Sequence, residues 1–293
     1  MSFFLQVGKL EIERVTTMKV NQFFEKLAKL REQQRVERHI RKGEVVPFEF
    51  NGQSFFLNPD RAACYHVLNS TAKLQRMADL AVSDAKTCFD VGANCGLFSA
   101  LIGQKIPGIG LHAFEPSVDL PDLIRRNCDG LDLSLVPKAV GDQEGTEIFY
   151  VNPDSQQTNS CNYEAVALVS GKAEIEKREV ELTTLDVYAK QQEITELDIL
   201  KVDVQGYEGP VFRGAKSLLP NTSQIFVEST WMDIESILNV IPMARQYGFE
   251  YLSVISPVFM GVDLLLDRDE PGDPSKVEST YRLSQLDGLD SWL

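Results

Sequence analysis

The chain has 293 residues, of which 43% are hydrophobic, and its formal net charge is −14 at pH 7. This length and apolar fraction are typical of one large or two small globular domains. The acidic balance disfavours nucleic acid and anionic membranes as partners, since both need clustered lysine and arginine. No signal peptide and no membrane-spanning segment are expected, and five scattered cysteines without a C-x-x-C pair favour a cytoplasmic protein. Three widely spaced histidines give no metal-ligand spacing, so no metal site is expected.

Residues 1–80 are predicted to form a mainly helical N-terminal extension that packs on the rest of the chain. Apolar residues at helical spacing predict an amphipathic helix over 18–42, and its aromatic start is a candidate for joining two copies in a homo-oligomer. Four arginines in its second half are typical of a solvated helix end: Arg31, Arg35, Arg38 and Arg41. A hairpin that turns at Asn51-Gly52 is predicted over 45–57, followed by one or two helices over 62–80.

From residue 87 onward, short apolar runs alternate with helical segments. Strands are predicted at 87–91, 110–114, 133–140, 147–151, 199–204 and 224–228, and helices at 96–104, 119–128, 211–219 and 234–247. Residues 251–255 and 262–266 are predicted to close the sheet as a strand pair, and the tail from 267 to be a polar loop. The alternation predicts an α/β domain over 81–293, with a mostly parallel sheet, helices on both faces and an antiparallel edge.

A glycine-containing turn follows the first of these strands. The strand ends at Asp90, and Gly92 and Gly96 in the sequence DVGANCG allow a tight turn that a ligand can approach closely. Asn94 stands where a dinucleotide motif would have its second glycine, and no phosphate-binding G-x-x-x-x-G-K loop occurs. The turn therefore predicts a ligand without a pyrophosphate at this position.

Two more acids follow the next predicted strands. Glu115 comes about 20 residues after the turn, where nucleotide-binding folds place the carboxylate that binds ribose hydroxyls. Asp142 follows the third strand. An adenosine linked to an amino acid fits these acids, which favours S-adenosylmethionine. We expect Asp90 at its methionine end, Glu115 at the ribose and Asp142 at the adenine amino group.

Several motifs, taken in order, resemble those of the FkbM-type family of S-adenosylmethionine-dependent methyltransferases. They are FDVGANCG, HAFEPS, AVGD, Leu185-Asp186, ILKVDVQGYE, Gly214-Ala215 and FVE over 226–228. The resemblance covers roughly residues 87–230 and implies a Rossmann-like class I methyltransferase fold. It also implies methyl transfer, usually to a hydroxyl of a sugar, glycan or natural product. Gln205 and Tyr207 depart from the family pattern, which commonly has Glu and a small residue there.

The fourth strand carries charges inside an apolar run. Because strand side chains alternate between faces, Lys201, Asp203 and Gln205 are expected on one face and to form one wall of the acceptor site. Asp203 is our candidate for the base or for the group that orients the acceptor, and Lys201 would keep Asp203 ionised or stabilise a developing alkoxide. Glu208 and Glu228 are further candidates for the acceptor side.

Other interpretations stay open at this level. Lys201 and Asp203 could form a buried ion pair with only a structural role. Asp203 and Glu228 could hold a divalent cation, although the spacing does not demand one. The polar loop over 151–161 could read sugar hydroxyls or lie on the surface. A nicotinamide-dependent oxidoreductase on a similar sheet and a non-catalytic partner protein are the two alternative functions.

Overall fold

The computed structural model of the protein describes residues 31, 33–170, 174–230, 242–258, 261–271 and 273–285. Residues 33–42 are helical and are called α1; the predicted stripe over 18–30, and the oligomer contact expected there, lie outside the described residues. The hairpin is present as β1, Val46–Phe50, and β2, Gln53–Leu57. Its turn has positive φ at Asn51 (51°) and Gly52 (77°), as a tight two-residue hairpin turn requires.

One long helix, α2, follows over Arg61–Leu80. The remaining elements are, in chain order, β3 Thr87–Val91, α3 Leu97–Lys105, β4 Gly110–Phe114, α4 Pro121–Asn127, β5 Leu133–Val136, β6 Ala139–Val140, β7 Gly145–Val151, α5 Tyr163–Ser170, β8 Glu176–Thr183, α6 Leu185–Gln191, β9 Leu197–Val202, α7 Glu208–Arg213, β10 Thr222–Thr230, the helical residues 242–246 (α8), β11 Tyr251–Val258, β12 Gly261–Asp267 and β13 Ser279–Arg282. No helix in the described ranges has the length and apolar character needed to cross a membrane.

The main sheet has eight strands in the order β13-β11-β12-β10-β9-β3-β4-β5. The five strands from β10 to β5 are parallel, whereas β12, β11 and β13 add an antiparallel edge. The predicted α/β class and antiparallel closing pair are therefore confirmed. The strand order reverses between β3 and β9, and open α/β sheets bind ligands beyond the carboxyl ends of the strands at such a point.

The predicted single strand over 133–140 is wrong. β5 ends at Val136 beside β4, and Pro137 has no N–H to donate to a sheet ladder. The N–H of Lys138 turns back to the carbonyl of Val136 (2.8 Å), and β6 then joins a second, three-stranded sheet of order β6-β8-β7. The sequence prediction missed β8, α5 and α6, and it placed β9 and α7 two to three residues too late.

Other boundaries also moved. Of the predicted helix over 234–247, only 242–246 is helical among the described residues, and 234–241 lies outside them. The polar tail carries a single 3-10 turn at Pro274–Lys276 before β13.

Apolar layers cover both faces of the main sheet. One contains the hairpin, α2, α3 and α4, and the other contains α6 and α7. Asn127 fastens the hairpin to the turn after β3, because its side chain exchanges two hydrogen bonds with the backbone of Phe56 and donates a third to the carbonyl of Cys95. α2 ends at Leu80, and the domain boundary placed there stays a prediction.

Candidate functional site

The turn after β3 brings two strand ends into backbone contact. Gly92 has φ of 78°, and a Cβ built on it would lie 1.9 Å from the carbonyl oxygen of Asp203. The N–H of Asp203 bonds the carbonyl of Val91 (3.1 Å), so β3 and β9 stay paired where the turn begins. Asn94, at φ of 51°, accepts the N–H of Cys95 through its side chain (2.7 Å), and Gly96 (φ 75°) then caps α3. Only glycine fits at position 92.

Glu115 is buried at the end of β4 and faces the turn. Its two carboxylate oxygens accept the N–H groups of Asn94 (2.8 Å) and Ser117 (2.9 Å). Burial raises the pKa of Glu115 above its ordinary value, and these hydrogen bonds oppose that shift. The carboxylate is therefore held in one orientation, with lone pairs left for a ligand.

Asp90 and Lys201 form an ion pair inside the sheet. They are directly opposite one another on β3 and β9, and Lys201 Nζ lies 3.1 Å from Asp90 Oδ1. The same ammonium donates to the carbonyl of Gly92 (2.8 Å) and lies 3.6 Å from Asp203 Oδ2. Burial disfavours the ammonium, but Asp90 and Asp203 hold the pKa of Lys201 above its ordinary value. Asp90, which also accepts from Ser99 Oγ (2.7 Å), lies behind the turn rather than in the lining of the cleft.

Asp203 and Glu228 form a coupled pair of carboxyls. β9 ends at Val202, so Asp203 lies in the following loop, and the amide of Gln205 donates to Asp203 (2.8 Å) and to Glu228 (2.7 Å). The two carboxyls also hydrogen bond to each other. Burial and then the charge of Asp203 raise the pKa of Glu228 to about 8. Burial alone would raise the pKa of Asp203, but Lys201 and the hydrogen bond from Glu228 bring it well below its ordinary value. The amide of Gln205 therefore bridges the two carboxyls, at the position where a bridging cation was considered.

Gln205 holds this bridge at a conformational cost. Its φ is 55°, a left-handed value that is uncommon for residues other than glycine and costs on the order of 1–3 kcal/mol. The surrounding loop stabilises it, because Ser160 donates to the carbonyl of Val204 (2.9 Å) and Asn162 to that of Gly206 (2.7 Å). The polar loop over 151–161 therefore supports the 203–207 turn.

Two further charged residues reach this pair and were missed from the sequence. Lys73 of α2 lies 3.3 Å from Glu228 Oε1 and 3.1 Å from Asp263 Oδ1 on β12. Burial disfavours its ammonium, but Glu228 and Asp263 hold the pKa of Lys73 above its ordinary value. A signal was present in Asp263, an acid within the apolar run VDLLL, which resembles Lys201 within its own strand.

Glu208 lies apart from the cleft. It is buried, and its Oε1 accepts the N–H groups of Val204 and Gly206, both at 3.2 Å, so it closes the loop before α7. Burial raises the pKa of Glu208 to about 7. It does not line the cleft, and its expected acceptor contact stays a prediction.

Asp142 also lies outside the cleft. Its carboxylate pairs with Arg213 (3.0 Å) and is 37% exposed. The reason is the break after Val136, because β6 leaves the main sheet and Asp142 does not stand at the edge shared by Asp90 and Glu115. The structure does not bring Asp142 to the cavity that Gly92, Asn94 and Glu115 line.

Two of the family motifs, Leu185-Asp186 and Gly214-Ala215, make contacts that position the segment after α7. The carboxylate of Asp186 accepts the N–H groups of Ser217 and Leu218 at 2.9–3.0 Å. Gly214 lies against the carbonyl of Gly141, where a Cβ would approach to 2.0 Å. Both residues hold the segment after α7 in place.

A single cleft joins the predicted residues that do meet. It has about 1060 Å³ of empty space including the solvent at its open mouth, which leaves room for a cofactor-sized ligand. Gly92, Asn94 and Glu115 line one part, and Lys201 and Asp203 another. Apolar side chains form a wall between β4, β6 and β7: Phe114, Val140 and Phe149. Gln157 also lines the cleft, and its buried Oε1 has no hydrogen-bond partner among the described residues.

These features fit an adenosine-containing ligand. The apolar wall suits an adenine ring, Glu115 suits ribose hydroxyls, and the free oxygen of Gln157 needs an N–H donor. The turn at Gly92 leaves room for close backbone approach.

Comparison with known proteins identifies the domain. The model of the "Methyltransferase FkbM domain" matches residues 90–251. A curated relative, the 31-O-demethyl-FK506 methyltransferase FkbM of Streptomyces tacrolimicus, is 26% identical over 205 residues, which span 60% of this chain and 77% of that protein.

Solved methyltransferase structures resemble the fold more distantly. An O-methyltransferase of Bacillus cereus in complex with S-adenosylhomocysteine has a TM-score of 0.41 and 10% identity, covering 68% of this chain and 80% of that one. TrmK of M. capricolum, in complex with the same cofactor product, has a TM-score of 0.42 and 13% identity, with 69% and 70% covered.

Proposed function

The chain belongs to the FkbM methyltransferase family, and we propose that it methylates a hydroxyl oxygen of a small-molecule or glycan acceptor. The fold is that of a class I methyltransferase, and S-adenosylmethionine is the cofactor, so a nicotinamide-dependent oxidoreductase is overturned. When bound, S-adenosylmethionine supplies an electrophilic methyl group on its sulfonium. The chain's own residues then have to bind it, orient the acceptor and remove a proton.

We assign the cofactor end to the residues around the turn after β3. Glu115 would hold the ribose hydroxyls, and the backbone from Gly92 to Asn94 would face the methionine part. Asp90 would act from behind the turn by keeping Lys201 and the Gly92 carbonyl in place. For the adenine we favour the apolar wall with Gln157 over Asp142, because the carboxylate of Asp142 pairs with Arg213.

The observation that carries the proposal is the Asp203–Glu228 pair at the same cleft. General bases work best when the pKa of their conjugate acid lies near the working pH. Asp203 by itself is a weak base, because its neighbours hold its pKa low. The pair as a unit loses its last proton with a pKa of about 8, so its fully ionised form is a competent base for a hydroxyl. Asp203 is the member that lines the cleft.

The class of acceptor follows from the polar side chains around Asp203 that line the cleft. Asp203 and Gln205 offer oxygen acceptors and Tyr207 offers a hydroxyl, which suit a polyhydroxylated compound. The name of the S. tacrolimicus relative places its methyl group on an oxygen. We propose the same bond type here and leave the acceptor skeleton to experiment.

Two measurements test the proposal. Calorimetry with S-adenosylhomocysteine should show binding to the wild-type chain, and absence of binding at millimolar concentration would remove the cofactor site. Incubation with hydroxylated acceptors and ¹³C-methyl-labelled S-adenosylmethionine should then give a methyl resonance of an ether. An N-methyl or S-methyl resonance would contradict oxygen as the acceptor. Cofactor binding without transfer to any acceptor would favour the non-catalytic partner protein.

We also propose a cytoplasmic location. All five cysteines are free thiols, and burial raises the pKa of Cys64 and Cys128 to about 12 and that of Cys95 to about 11. Such unpaired thiols fit a reducing compartment. Fractionation of cells that express the tagged chain would test this.

A further inference from the structure

One face of α2 covers the acceptor side of the cleft. Val67, Ser70, Lys73 and Leu74 recur at helical spacing and line it. The side chain of Lys73 is 12% exposed, so the ammonium lies within the cleft wall rather than in solvent. α2 thus brings a cation from the N-terminal extension to the Asp203–Glu228 pair.

The two partners that fix Lys73 come from different parts of the chain. Glu228 lies within residues 90–251, the range that matches the family model, whereas Lys73 and Asp263 lie outside it. Asp263 is fully buried and so provides a firm anchor on β12. This corner of the acceptor site is therefore completed by segments on either side of the matched range.

The charges around the pair make Lys73 the available cation. A connected cluster of buried and half-buried side chains contains two lysines, four carboxyls and two neutral groups: Lys73, Lys201, Asp90, Asp203, Glu228, Asp263, Gln205 and Ser256. Lys201 directs its ammonium to Asp90, Asp203 and the carbonyl of Gly92. An ammonium has three N–H donors, and within the described residues Lys73 uses two. Its third N–H can serve a ligand in the cleft.

We propose that Lys73 is a catalytic residue whose ammonium donates a hydrogen bond to the acceptor oxygen; this rests on the proposed O-methyl transfer. As the new C–O bond forms and the C–S bond breaks, the bonding electron pair stays on sulfur and yields S-adenosylhomocysteine. The acceptor proton moves to the Asp203–Glu228 pair, and Lys73 stabilises the negative charge that develops on the oxygen. A fixed donor of this kind typically contributes about 10²–10³ in turnover.

Variants of Lys73 test this role in the full chain. Lys73→Met keeps the length of the side chain without its charge, and Lys73→Arg keeps the charge. With a hydroxylated acceptor identified in the labelling screen, we expect kcat of Lys73→Met to fall by about 10²-fold, with S-adenosylhomocysteine affinity within about twofold of wild type. Lys73→Arg should recover part of kcat. In the unliganded protein, carboxyl NMR should show the titration of Glu228 shifted upward in Lys73→Met, because a nearby cation is lost.

The matched control is Lys276→Met. Lys276 also pairs with an acid of α2, Asp79 (2.9 Å), but lies outside the cleft, so kcat and the Glu228 titration should not change. If Lys73→Met does not fold, the double variant Lys73→Met/Asp263→Asn removes both buried charges and is judged by the same criteria. Unchanged kcat with an intact cofactor site, or a loss of cofactor affinity as large as the loss of kcat, would overturn the role of Lys73. Failure of the wild-type chain to bind S-adenosylhomocysteine or to methylate would instead overturn the proposed function.

Discussion

Two lysines with buried carboxylate partners, Lys201 and Lys73, lie near Asp203. Lys201 sits in the central strand, and its partner Asp90 is its direct neighbour on β3, so sheet register alone places the pair. Lys73 comes from a helix of the N-terminal extension and meets Glu228 and Asp263 on two other strands. We propose that Lys201 holds the turn under the cofactor site together through the carbonyl of Gly92, whereas Lys73 serves the acceptor. In this proposal the lysine within the sheet supports the turn, and the lysine that α2 supplies serves the ligand.

The largest effect is expected at Asp203, the carboxylate 3.6 Å from Lys201. Asp203→Asn removes the base and should lower turnover by about 10²–10⁴, with binding of S-adenosylhomocysteine by calorimetry unchanged. The control is Asp198→Asn at the other end of β9, where the carboxylate accepts the N–H groups of Lys86 and Thr87. It should cost stability but not turnover. Full turnover in Asp203→Asn would exclude Asp203 as the base.

Replacing the two lysines should separate their roles in stability. Lys201→Met leaves Asp90 buried and unpaired, and the free energy of unfolding should fall by about 3–5 kcal/mol. Lys73→Met should cost less, because burial already raises the pKa of both its partners, Glu228 and Asp263, so that they can take up protons when the cation is lost. Urea denaturation of both variants at neutral pH gives the comparison. A larger loss in Lys73→Met than in Lys201→Met would contradict it.

Replacing Gln205 by glutamate, the residue that the family commonly has there, should destabilise the contacts around Asp203 and Glu228. Gln205→Glu replaces an amide donor to Asp203 and Glu228 by a third carboxyl, so unfolding should become easier by about 1–3 kcal/mol at neutral pH. The loss should shrink in mild acid, where the new carboxyl can take up a proton. Urea denaturation of the variant and the wild type at the two pH values measures both, and an equal loss relative to wild type at both would show that Gln205 does not bridge the pair.

The smallest effect is a slope of stability with pH. Burial raises the pKa of Glu228 to about 8 and that of Glu208 to about 7, from an ordinary value of 4.5. At pH values above 4.5 and below about 7 for Glu208 or about 8 for Glu228, the folded chain holds protons that the unfolded chain has released. The stability that they contribute is therefore complete below the ordinary value and is lost as the pH rises through about 7 and 8. The lowered pKa of Asp203 acts oppositely, and its contribution is lost only in strong acid.

Each of the two glutamates can add a slope of at most about 1.4 kcal/mol per pH unit. Glu228→Gln and Glu208→Gln should each flatten the decline, which a series of urea denaturations across this range would measure. A wild-type stability that rises with pH between about 5 and 8 would contradict these pKa shifts.

Much of the cofactor side was predictable because it depends on local order in the chain. The turn at Gly92, the acid at Glu115 and the charged stretch after Ile199 all stand at the ends of strands whose apolar runs were readable. Parallel strands then bring their carboxyl ends to one edge of the sheet. Asp142 does not reach this edge, because β5 ends at Val136, before Pro137, and β6 belongs to the three-stranded sheet.

By itself, the sequence determined the α/β class, the family and the cofactor, because glycine turns and strand-end acids act through backbone geometry that a short segment already specifies. It also placed Asp203 and Glu228 as separate candidates. Only the tertiary structure decided that the amide of Gln205 bridges them, and that Lys73 and Asp263 join them. The reason is physical: burial and charge set these pKa values, and both depend on elements that are distant in the chain and meet only when α2 and β12 pack around the cleft.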